Sequence, residues 1–399
     1  MPVPGGPVDR AVRRGLECGH RRERSPGPMK ITAVRAYPLS IPLRPMRPHS
    51  PWLDGMRKQI IVTLTTDDGV VGLGECFAYG APLAVASVVE ESLAPVLVGE
   101  NPTEIERLVE KLERSMLLYG RRGLALHALS GVEIALWDLA GKARGLPVHD
   151  LLGGRYTPEI RAYASLLRYP APADVAAACR HQVDAGFAAV KLHQLDVESV
   201  RVAREAVGPR VELMLDVNCP WSPREAIRMG RAFEPYRLAW FEEPVWPPED
   251  YRGLAEVSAA LETPIAAGEN EGLAQGFADI IAHRAVDILQ PSMTKVGGLL
   301  EFKKICTLAA AANLSVAPHS FYFGPGLAAT LHLIASTPGC LWLEFPTGEL
   351  EAPLLREPIQ PRHGLVPVPS GPGLGVTLNE EVLARYPYGS APARPFILA

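Results

Sequence analysis

The chain has 399 residues, a hydrophobic content of 47% and a formal net charge of −4. This is enough for one large barrel and a smaller second domain, and no apolar run approaches the unbroken length of a membrane span, so we expect a soluble protein. The charge provides no basic field for nucleic acid, and the six cysteines lack paired spacing, which indicates reduced thiols in a cytoplasmic protein.

Residues 1–28 are rich in Pro, Gly and Arg and show no apolar periodicity. This composition is typical of a disordered leader, and we find no secretory apolar core in it. A mis-assigned start explains the segment as well as any function does, because a convincing strand begins at Met29. A weak basic targeting role is the less favoured alternative.

Residues 29–155 are predicted to form an α+β capping domain. Segments of alternating apolar and polar residues surround an Asp67-Asp68-Gly69 turn, which predicts an antiparallel sheet with a hairpin. Three segments with apolar residues at three- and four-residue spacing then predict helices. His127 falls on the apolar face of the third helix, where a packed histidine is favoured over a ligand.

A long loop of mixed polarity, which includes Arg47 and Trp52, separates the first two predicted strands. An ordinary exposed connection and a specificity lid both fit this pattern.

Residues 156–347 contain eight segments of strand character separated by helical segments. The predicted strands are RAYASLL, AAVKLHQ, LMLDVN, AWFEEPV, PIAAGEN, VDILQPSM, LSVAPHS and CLWLEF. Three of them end in acids, Asp216, Glu242 and Glu269, at intervals of 26 and 27 residues. One strand, one helix and two loops occupy such an interval, so the acids are expected at the carboxyl ends of successive parallel strands, where barrel active sites lie.

Three converging carboxylates would repel one another unless a positive charge lay between them. Asp216, Glu242 and Glu269 are therefore predicted to bind a hard divalent cation, with Mg²⁺ favoured. Zinc is less favoured because the three residues are all acids and no Cys or His stands among them. The nearest strand-end candidates of other types, Lys191 and His319, are expected on the rim as bases. For any one acid alone a helix cap or a surface charge would be the better interpretation.

Lys191 and His193 lie two residues apart on the second predicted barrel strand, so their side chains point the same way, here into the barrel mouth. A structural histidine at a strand end is the alternative for His193. The adjacent lysine and the predicted metal favour a catalytic role, and the metal would favour the neutral base form.

The ordered series of motifs resembles the enolase superfamily, in its mandelate racemase/muconate lactonizing enzyme-like branch and closest to the mandelate racemase subgroup. The matching pieces are KLH at 191–193, DVN at 216–218, FEEP at 241–244, AGEN at 267–270, QPSMTKVGG at 290–298 and APHS at 317–320. The resemblance covers about residues 29–399 and is far more specific than any single motif. It implies a TIM-type (β/α)7β barrel with an α+β cap, and a tail at 348–399 that returns over the cap in place of an eighth helix.

The resemblance also implies roles for individual residues. The family usually has a second lysine where this chain has His193; that lysine takes the proton alpha to a carboxylate, while the first, here Lys191, keeps the site positive. His319 matches the histidine of the opposite face, and Glu344 matches the acid that hydrogen-bonds the substrate carboxylate. Asn218 matches a substrate-contacting position.

Outside this set, the first-domain loop of the family closes over the site, which favours the lid interpretation for Arg47 and Trp52. Glu243 and Asn270 alternate away from the predicted metal acids, and Glu243 is interpreted as a supporting partner, for instance of a lysine. Lys295 fits both a cation of the site and a surface residue at a helix start.

Ser292 departs from the family pattern, in which an Asp on the sixth strand orients the histidine. A hydroxyl can fix the tautomer of His319 but cannot stabilise an imidazolium as a carboxylate does, so His319 is expected to be a weaker base than usual. A racemase needs two matched bases on opposite faces. The asymmetry favours a dehydratase, in which the Lys191/His193 side takes the α-proton and His319 is the acid for the β-hydroxyl.

The predicted activity is Mg²⁺-dependent removal of the proton alpha to a carboxylate, with the enediolate stabilised as it forms. This mechanism is taken from the superfamily and not from these residues. Dehydration of a sugar acid, by a lyase, is favoured over an isomerase that racemises, epimerises or cycloisomerises a hydroxy acid or lactone. A barrel that only binds a ligand is the alternative of another class. The expected partners are a small-molecule carboxylate and further copies of the chain in a homo-oligomer, with no nucleic acid and no membrane.

Overall fold

The computed structural model describes residues 29–44, 55–340 and 342–389. The predicted leader at 1–28 and the centre of the predicted lid, with Arg47 and Trp52, lie outside the described residues.

The cap begins with three antiparallel strands, β1 (Ile31–Arg44), β2 (Met56–Thr66) and β3 (Val71–Cys76). The turn between β2 and β3 is the predicted one, since Gly69 has a φ of 83° and the Thr66 amide donates to the Val70 carbonyl over 3.0 Å. Glycine adopts such a positive φ at little steric cost, which explains its place in this hairpin.

The helices of the cap follow its sheet. They are α1 (Pro82–Ser87), a π-helical stretch (Val88–Leu93), α2 (Ala94–Leu97), α3 (Ile105–Ser115), α4 (Leu124–Arg144) and α5 (Val148–Leu151). By length and composition α4 would be able to cross a membrane, but 83% of its apolar window is buried inside the protein. It packs closely on β3, because a Cβ at Gly74 would lie 1.9 Å from the Gly131 carbonyl oxygen. α4 is thus the central core helix of the cap.

Eight parallel strands form a ring. They are β4 (Glu159–Ser165), β5 (Ala189–Leu192), β6 (Glu212–Asp216), β7 (Trp240–Glu242), β8 (Ile265–Ala267), β9 (Ile288–Leu289), β10 (Ser315–Val316) and β11 (Leu343–Pro346). Neighbours pair in order from β4 to β10, and β11 pairs with β4. A parallel bridge between Val316 and Cys340 closes the ring.

Within the described residues, seven α-helices connect these strands. They are α6 (Pro172–Asp184), α7 (Val197–Val207), α8 (Pro223–Phe233), α9 (Tyr251–Ala260), α10 (Leu273–Ala282), α11 (Leu299–Ala311) and α12 (Pro325–Ala335). The predicted TIM-type (β/α)7β barrel with an α+β cap is confirmed.

Strand alternation positions the site. In a barrel, successive side chains point alternately into the ring and out towards the helices. One buried apolar cluster contains Ala189, Met214 and Trp240, one from each of β5, β6 and β7. Lys191, Asp216 and Glu242 each lie two residues further along the same strands, so they point the same way, above that layer at the carboxyl end of the ring.

The C-terminal part contacts both the cap and the barrel. β12 (Glu349–Leu350) pairs antiparallel with the end of β1. β13 (Leu365–Pro367) instead pairs antiparallel with residues 159–161 at the start of β4. The pairing of β4 with its barrel neighbours β5 and β11 begins only after these residues. The tail at 348–399 was predicted to return over the cap, and this is wrong for β13, which pairs with the start of β4, where backbone groups need partners.

The last described helix, α13 (Glu380–Arg385), returns to the cap, where Val382 joins an apolar cluster with Leu39 and Ile41 of β1. The domain boundaries at 155/156 and 347/348 stay predictions.

Candidate active site

Three carboxylates meet at the carboxyl end of the ring. Asp216 ends β6, Glu242 ends β7 beside it in register, and Glu269 follows β8 by two residues. One carboxylate oxygen from each lies within 4.8 Å of the others. Asp216 and Glu242 are buried. The structure thus brings together the three acids that were predicted from their spacing.

Lys191 is fully buried beneath this cluster. Its ammonium lies 2.9 Å from Glu242 Oε1, 2.9 Å from Glu344 Oε1 and 3.5 Å from Asp216 Oδ2. Although burial lowers the pKa of Lys191, these carboxylates raise it well above its ordinary value. Lys191 therefore lies beneath the cluster and not on the rim, and a role as a base stays a prediction. Its contacts make it a counter-ion.

One ammonium does not balance the negative charge. Burial and then the neighbouring carboxylates raise the pKa of Glu242 to about 8, against the opposing effect of Lys191. Burial also disfavours charge on Asp216, but Lys191 and His193 hold the pKa of Asp216 well below its ordinary value. A cluster with more carboxylates than cations, and with only oxygen donors among its three acids, fits a hard divalent cation.

His193 stands on one side of the cluster and lines the cavity above it. Its Nδ1 contacts the Leu166 carbonyl oxygen, which can only accept, so Nδ1 carries the proton. Nε2 lies 3.1 Å from Asp216 Oδ2. That carboxylate oxygen also can only accept, so Nε2 faces the cluster as a donor to Asp216, in agreement with the lowered pKa of Asp216. Arg168 fixes the backbone here, because its Nε donates to the His193 carbonyl over 2.6 Å.

His319 stands on the other side, with Nε2 at 3.3 Å from Glu269 Oε2. Its Nδ1 lies 2.9 Å from Ser292 Oγ and 3.4 Å from the Tyr322 hydroxyl. Burial lowers the pKa of His319, although Glu269 and Glu344 act in the opposite sense. Ser292 therefore does occupy the partner position of His319, and Tyr322 is a second partner that the sequence analysis missed.

Glu344, near the start of β11, is held by three donors. Oε1 accepts from the Ser165 hydroxyl over 2.7 Å and from Lys191, and Oε2 accepts from the Ser320 amide over 2.8 Å. Burial alone would raise its pKa, but Lys191, His319 and Ser165 lower the pKa of Glu344 to about 2. Glu344 is thus an ionised acceptor. Its predicted hydrogen bond to a substrate carboxylate, which requires a proton, stays a prediction.

Asn218 follows β6 and lines the cavity. Its backbone and side-chain nitrogens both donate to Asp216 Oδ1 over 2.9 Å. Asn218 and Glu243, just beyond the ends of β6 and β7, have φ values of 53° and 47°. Non-glycine residues rarely adopt this region, and such positions cluster at functional sites.

A hydrogen-bonded chain runs along the adjoining wall. Asn270 Nδ2 donates to both carboxylate oxygens of Glu243 over 3.0 Å, and Asn270 Oδ1 accepts from Lys295 over 2.9 Å. Lys295 also lies 3.5 Å from Glu269 and 4.7 Å from the centre of the Phe77 ring. Asn270 therefore links the two side chains that were interpreted as supporting partner and unassigned cation.

A cavity of about 530 Å³ opens above these groups between barrel and cap. The cap contributes Phe77, Tyr79, Arg122 and His127 to its lining, and the barrel adds Arg168 and Trp246 to the residues described above.

Of these lining residues, only His127 was considered from sequence. It packs edge-on against Phe77, with ring centres 5.2 Å apart, and burial lowers its pKa to about 3. His127 is thus both a packed histidine and part of the cavity wall. Arg168 directly follows a predicted strand, and this position was the sequence feature that could have marked it as a site residue. No spacing pattern in the sequence indicated that residues of the cap line the cavity.

Fold and site together define the class of the protein: a capped barrel whose carboxylate cluster and cavity lie at the carboxyl ends of its strands, where barrel enzymes have their active sites. The mandelate racemase / muconate lactonizing enzyme N-terminal domain model matches residues 39–153, and the enolase C-terminal domain-like model matches residues 174–382. The chain belongs to the enolase superfamily, in its mandelate racemase/muconate lactonizing enzyme branch.

Relatives of known activity agree with this assignment. The chain is 35% identical to D-galactarolactone cycloisomerase of Agrobacterium fabrum, over 90% of this chain and 99% of that protein. It is 34% identical to arabinonate dehydratase of Saccharolobus solfataricus, over 82% and 90% respectively. The crystal structure of 3,6-anhydro-D-galactonate cycloisomerase from Zobellia galactanivorans superposes with a TM-score of 0.82 at 34% identity, covering 90% of this chain and 100% of that one. The chain is accordingly a lyase or isomerase of this superfamily.

Proposed function

We propose that the enzyme removes the proton alpha to a carboxylate with the help of Mg²⁺ and dehydrates a sugar acid. One observation carries the proposal: two histidines flank a single carboxylate cluster in one cavity, His193 at 3.1 Å from Asp216 and His319 at 3.3 Å from Glu269. A substrate above the cluster would thus have one imidazole on each side.

Asp216, Glu242 and Glu269 would hold the cation, since carboxylate oxygens are the donors that Mg²⁺ prefers. When bound there, Mg²⁺ supplies a positive charge that stabilises the enediolate as it forms. Lys191 holds Glu242, Glu344 and Asp216 in place from below. Such supporting contacts orient ligands before any substrate arrives.

His193 is the base in this mechanism: Nδ1 donates to Leu166, and the Nε2 lone pair would be free once a bound cation replaces the Nε2 contact of Asp216. The α-carbon to hydrogen bond breaks, the proton goes to Nε2, and the electron pair passes into the enediolate. The bond from the β-carbon to its hydroxyl then breaks with its electron pair on oxygen, which takes a proton from Nε2 of the imidazolium form of His319 and leaves as water, so that His319 ends neutral. The resulting enol becomes a 2-keto acid, and solvent restores both histidines.

Dehydration is supported by the unequal partners of the two histidines, since two-base racemisation needs matched bases. Cycloisomerisation of a lactone is the second candidate. It is supported by the named activities of the Agrobacterium and Zobellia proteins, and it also requires one acceptor and one donor on opposite faces.

The proposal also covers the compartment and oligomeric state of the enzyme and the part of the chain that selects its substrate. We propose a cytoplasmic enzyme of sugar-acid breakdown that works as a homo-oligomer. The lid around Arg47 and Trp52 would select the substrate from the cap side. The five described cysteines are all free thiols, which supports a reducing compartment.

The test is a screen of sugar monoacids, diacids and their lactones with chelator-treated protein, with and without Mg²⁺, in deuterated water. The expected result is a 2-keto product that requires Mg²⁺ and shows α-deuterium exchange. A lactone opened or closed without a keto product would favour the second candidate. Ligand binding without any α-exchange would reject both.

A further inference from the structure

One buried cation of the cap is enclosed by aromatic rings of both domains. Arg57 of β2 is 2% exposed, and its guanidinium carbon lies 4.5 Å from the centre of the Tyr79 ring. The ring centres of Phe321 and Phe323 are both 5.4 Å away from the same carbon. Tyr79 follows β3 of the cap, whereas the two phenylalanines follow β10 of the barrel. Arg57 is thus a point at which rings of cap and barrel meet around one positive charge, which the ring faces attract.

Arg57 also bonds the barrel directly, because its Nη2 donates to the Phe321 carbonyl oxygen. Among the described residues this is the one hydrogen bond of the guanidinium, since Nε and Nη1 are buried without a partner. Burial lowers the pKa of Arg57 to about 10, against the opposing effect of Glu75, so the group is still a cation at neutral pH. One hydrogen bond and three rings therefore hold a buried charge.

This arrangement of Arg57 is costly for the stability of the fold. A buried donor without a partner loses its hydration and gains nothing in return, and a buried charge loses more. Replacing buried charged groups together by neutral residues of similar volume is often neutral or stabilising. A residue that is worse for stability than its apolar substitute indicates a benefit in function, because departures from the rules of packing are concentrated at functional sites.

The benefit concerns one wall of the cavity. Tyr79 and Phe321 both line the cavity above the carboxylate cluster, and Arg57 itself does not. Phe321 follows His319 by two residues, on a segment without helix or strand. Within the described chain, Arg57 provides the one hydrogen bond that Phe321 makes. The position of this wall therefore depends on a residue that lies behind it.

The neighbouring Glu75 makes it possible to isolate the effect of Arg57. Its Oε2 accepts from the Gly326 amide over 2.9 Å, and its Oε1 accepts from Gln59 over 2.8 Å. The side-chain oxygen of Gln59 is buried without a partner among the described residues. Glu75→Gln can therefore keep both contacts, because the Gln59 amide can turn and accept from the introduced amide. The charge of Glu75 can thus be removed while its hold on Gly326 is kept.

We propose that Arg57 is a positioning residue that joins the cap to the barrel at this wall and holds Phe321 and Tyr79 in the shape that receives the substrate. The inference rests on the proposed function for the identity of that substrate. Arg57 touches no reacting atom, so its loss affects the binding of substrate more than the chemical step. An apolar residue of similar length would fill the space between the rings and leave the Phe321 carbonyl without its donor.

The test is the double variant Arg57→Met with Glu75→Gln, compared with Glu75→Gln alone. Its midpoint of thermal unfolding should not be lowered. Hydrogen exchange of the substrate-free protein, followed by mass spectrometry, should be about tenfold faster for peptides of residues 319–324 and unchanged for α9, because one hydrogen bond of this segment is lost. Arg35→Met, the same change at an exposed arginine of β1, should leave the exchange as in wild type.

Kinetics give the second readout, with a sugar acid found in the screen. The double variant should raise KM about tenfold over Glu75→Gln and keep kcat within about twofold, because the loss is in binding. Arg57→Lys should fall between the two, since an ammonium can donate to the Phe321 carbonyl but cannot stack as a planar group does. If the double variant does not fold, Arg57→Lys decides by the same two readouts.

Unchanged exchange at residues 319–324, or an unchanged KM, would overturn the inference and leave the proposed function standing. A lower unfolding midpoint with faster exchange throughout the cap would overturn it as well, because Arg57 would then support the fold in general. The expected local exchange in a protein that shows no α-exchange on any sugar acid would reject the proposed function alone.

Discussion

The two histidines of the cavity are the same residue type at similar distances from the same cluster, but their far nitrogens meet different groups. His193 Nδ1 meets a backbone carbonyl, which only accepts. His319 Nδ1 meets hydroxyls, which can donate. His193 Nδ1 therefore has to donate, whereas His319 Nδ1 can either donate to these hydroxyls or accept from them. The partner of the far nitrogen thus bears on whether Nε2 can take or give a proton.

The largest effect is expected from a change in the carboxylate cluster that both histidines flank. Glu269→Gln should reduce turnover at least about a thousandfold and weaken Mg²⁺ binding in titration calorimetry, because a cation ligand at a strand end is lost. The circular dichroism spectrum should be unchanged, since the residue lies beyond β8. Glu349→Gln, at an exposed carboxylate of the cap, is the matched control. Full activity of Glu269→Gln after chelation and Mg²⁺ restoration would refute the cluster assignment.

The comparison assigns proton abstraction to one face only. His193→Asn should reduce α-proton exchange into deuterated water about a thousandfold, because the base is lost while the amide keeps the approximate shape. His181→Asn, at an exposed histidine of α6, should behave as wild type. Exchange that survives in His193→Asn would place the base elsewhere.

The opposite face should behave differently. His319→Asn should exchange the α-proton within about tenfold of the wild-type rate and lose water about a hundredfold more slowly, because only the donor to the leaving hydroxyl is removed. Exchange is measured by proton NMR and product by a keto-acid assay on the same sample. Should His319→Asn lose exchange while His193→Asn keeps it, the faces are reversed.

A third histidine, which is buried outside the cavity, shows how burial alone affects the protonation of an imidazole. His332 of α12 is buried, Nε2 contacts the Leu374 carbonyl and Nδ1 accepts from the His149 amide. Burial is the main cause that lowers its pKa from 6.5 to about 4. Below pH 6.5 the unfolded chain binds the proton and the folded one does not, so stability present above that pH is lost as the pH falls towards 4. Its share is about 1 kcal/mol between pH 6.5 and 5.5.

The measurement is urea unfolding across this pH range in wild type and in His332→Gln, which cannot titrate at that position. Between pH 6.5 and 5.5 the free energy of unfolding of the wild type should fall by about 1 kcal/mol more than that of His332→Gln. An equal fall in both proteins would show that the buried ring takes up a proton in the folded protein.

The placement of polar residues at the strand ends was predictable because it depends on local regularity. The interval between Asp216, Glu242 and Glu269 equals one barrel repeat, and the two-residue spacing of Lys191 and His193 places both on one side of a strand. These relations need no knowledge of distant contacts.

What could not be predicted depends on how separate parts of the chain come together. Lys191 was expected to be accessible, but its environment consists of carboxylates from three other strands, which no local pattern reveals. Tyr322 lies on a loop without periodicity, and its relation to Ser292 appears only when two strand ends are adjacent. Arg122 and His127 reach the cavity only because the cap packs on the barrel.

The pairing of β12 with β1 also bears on how the protein is made. The end of β1 is synthesised more than 300 residues before its partner, since Leu43 pairs with Leu350. On the ribosome the sheet of the cap therefore keeps an open edge until the entire barrel has emerged, and an open edge can pair with other chains. A nascent chain arrested before residue 349 should thus be more prone to aggregation than one arrested after residue 389. A strand that follows the whole barrel along the chain thus completes the sheet with which the cap begins.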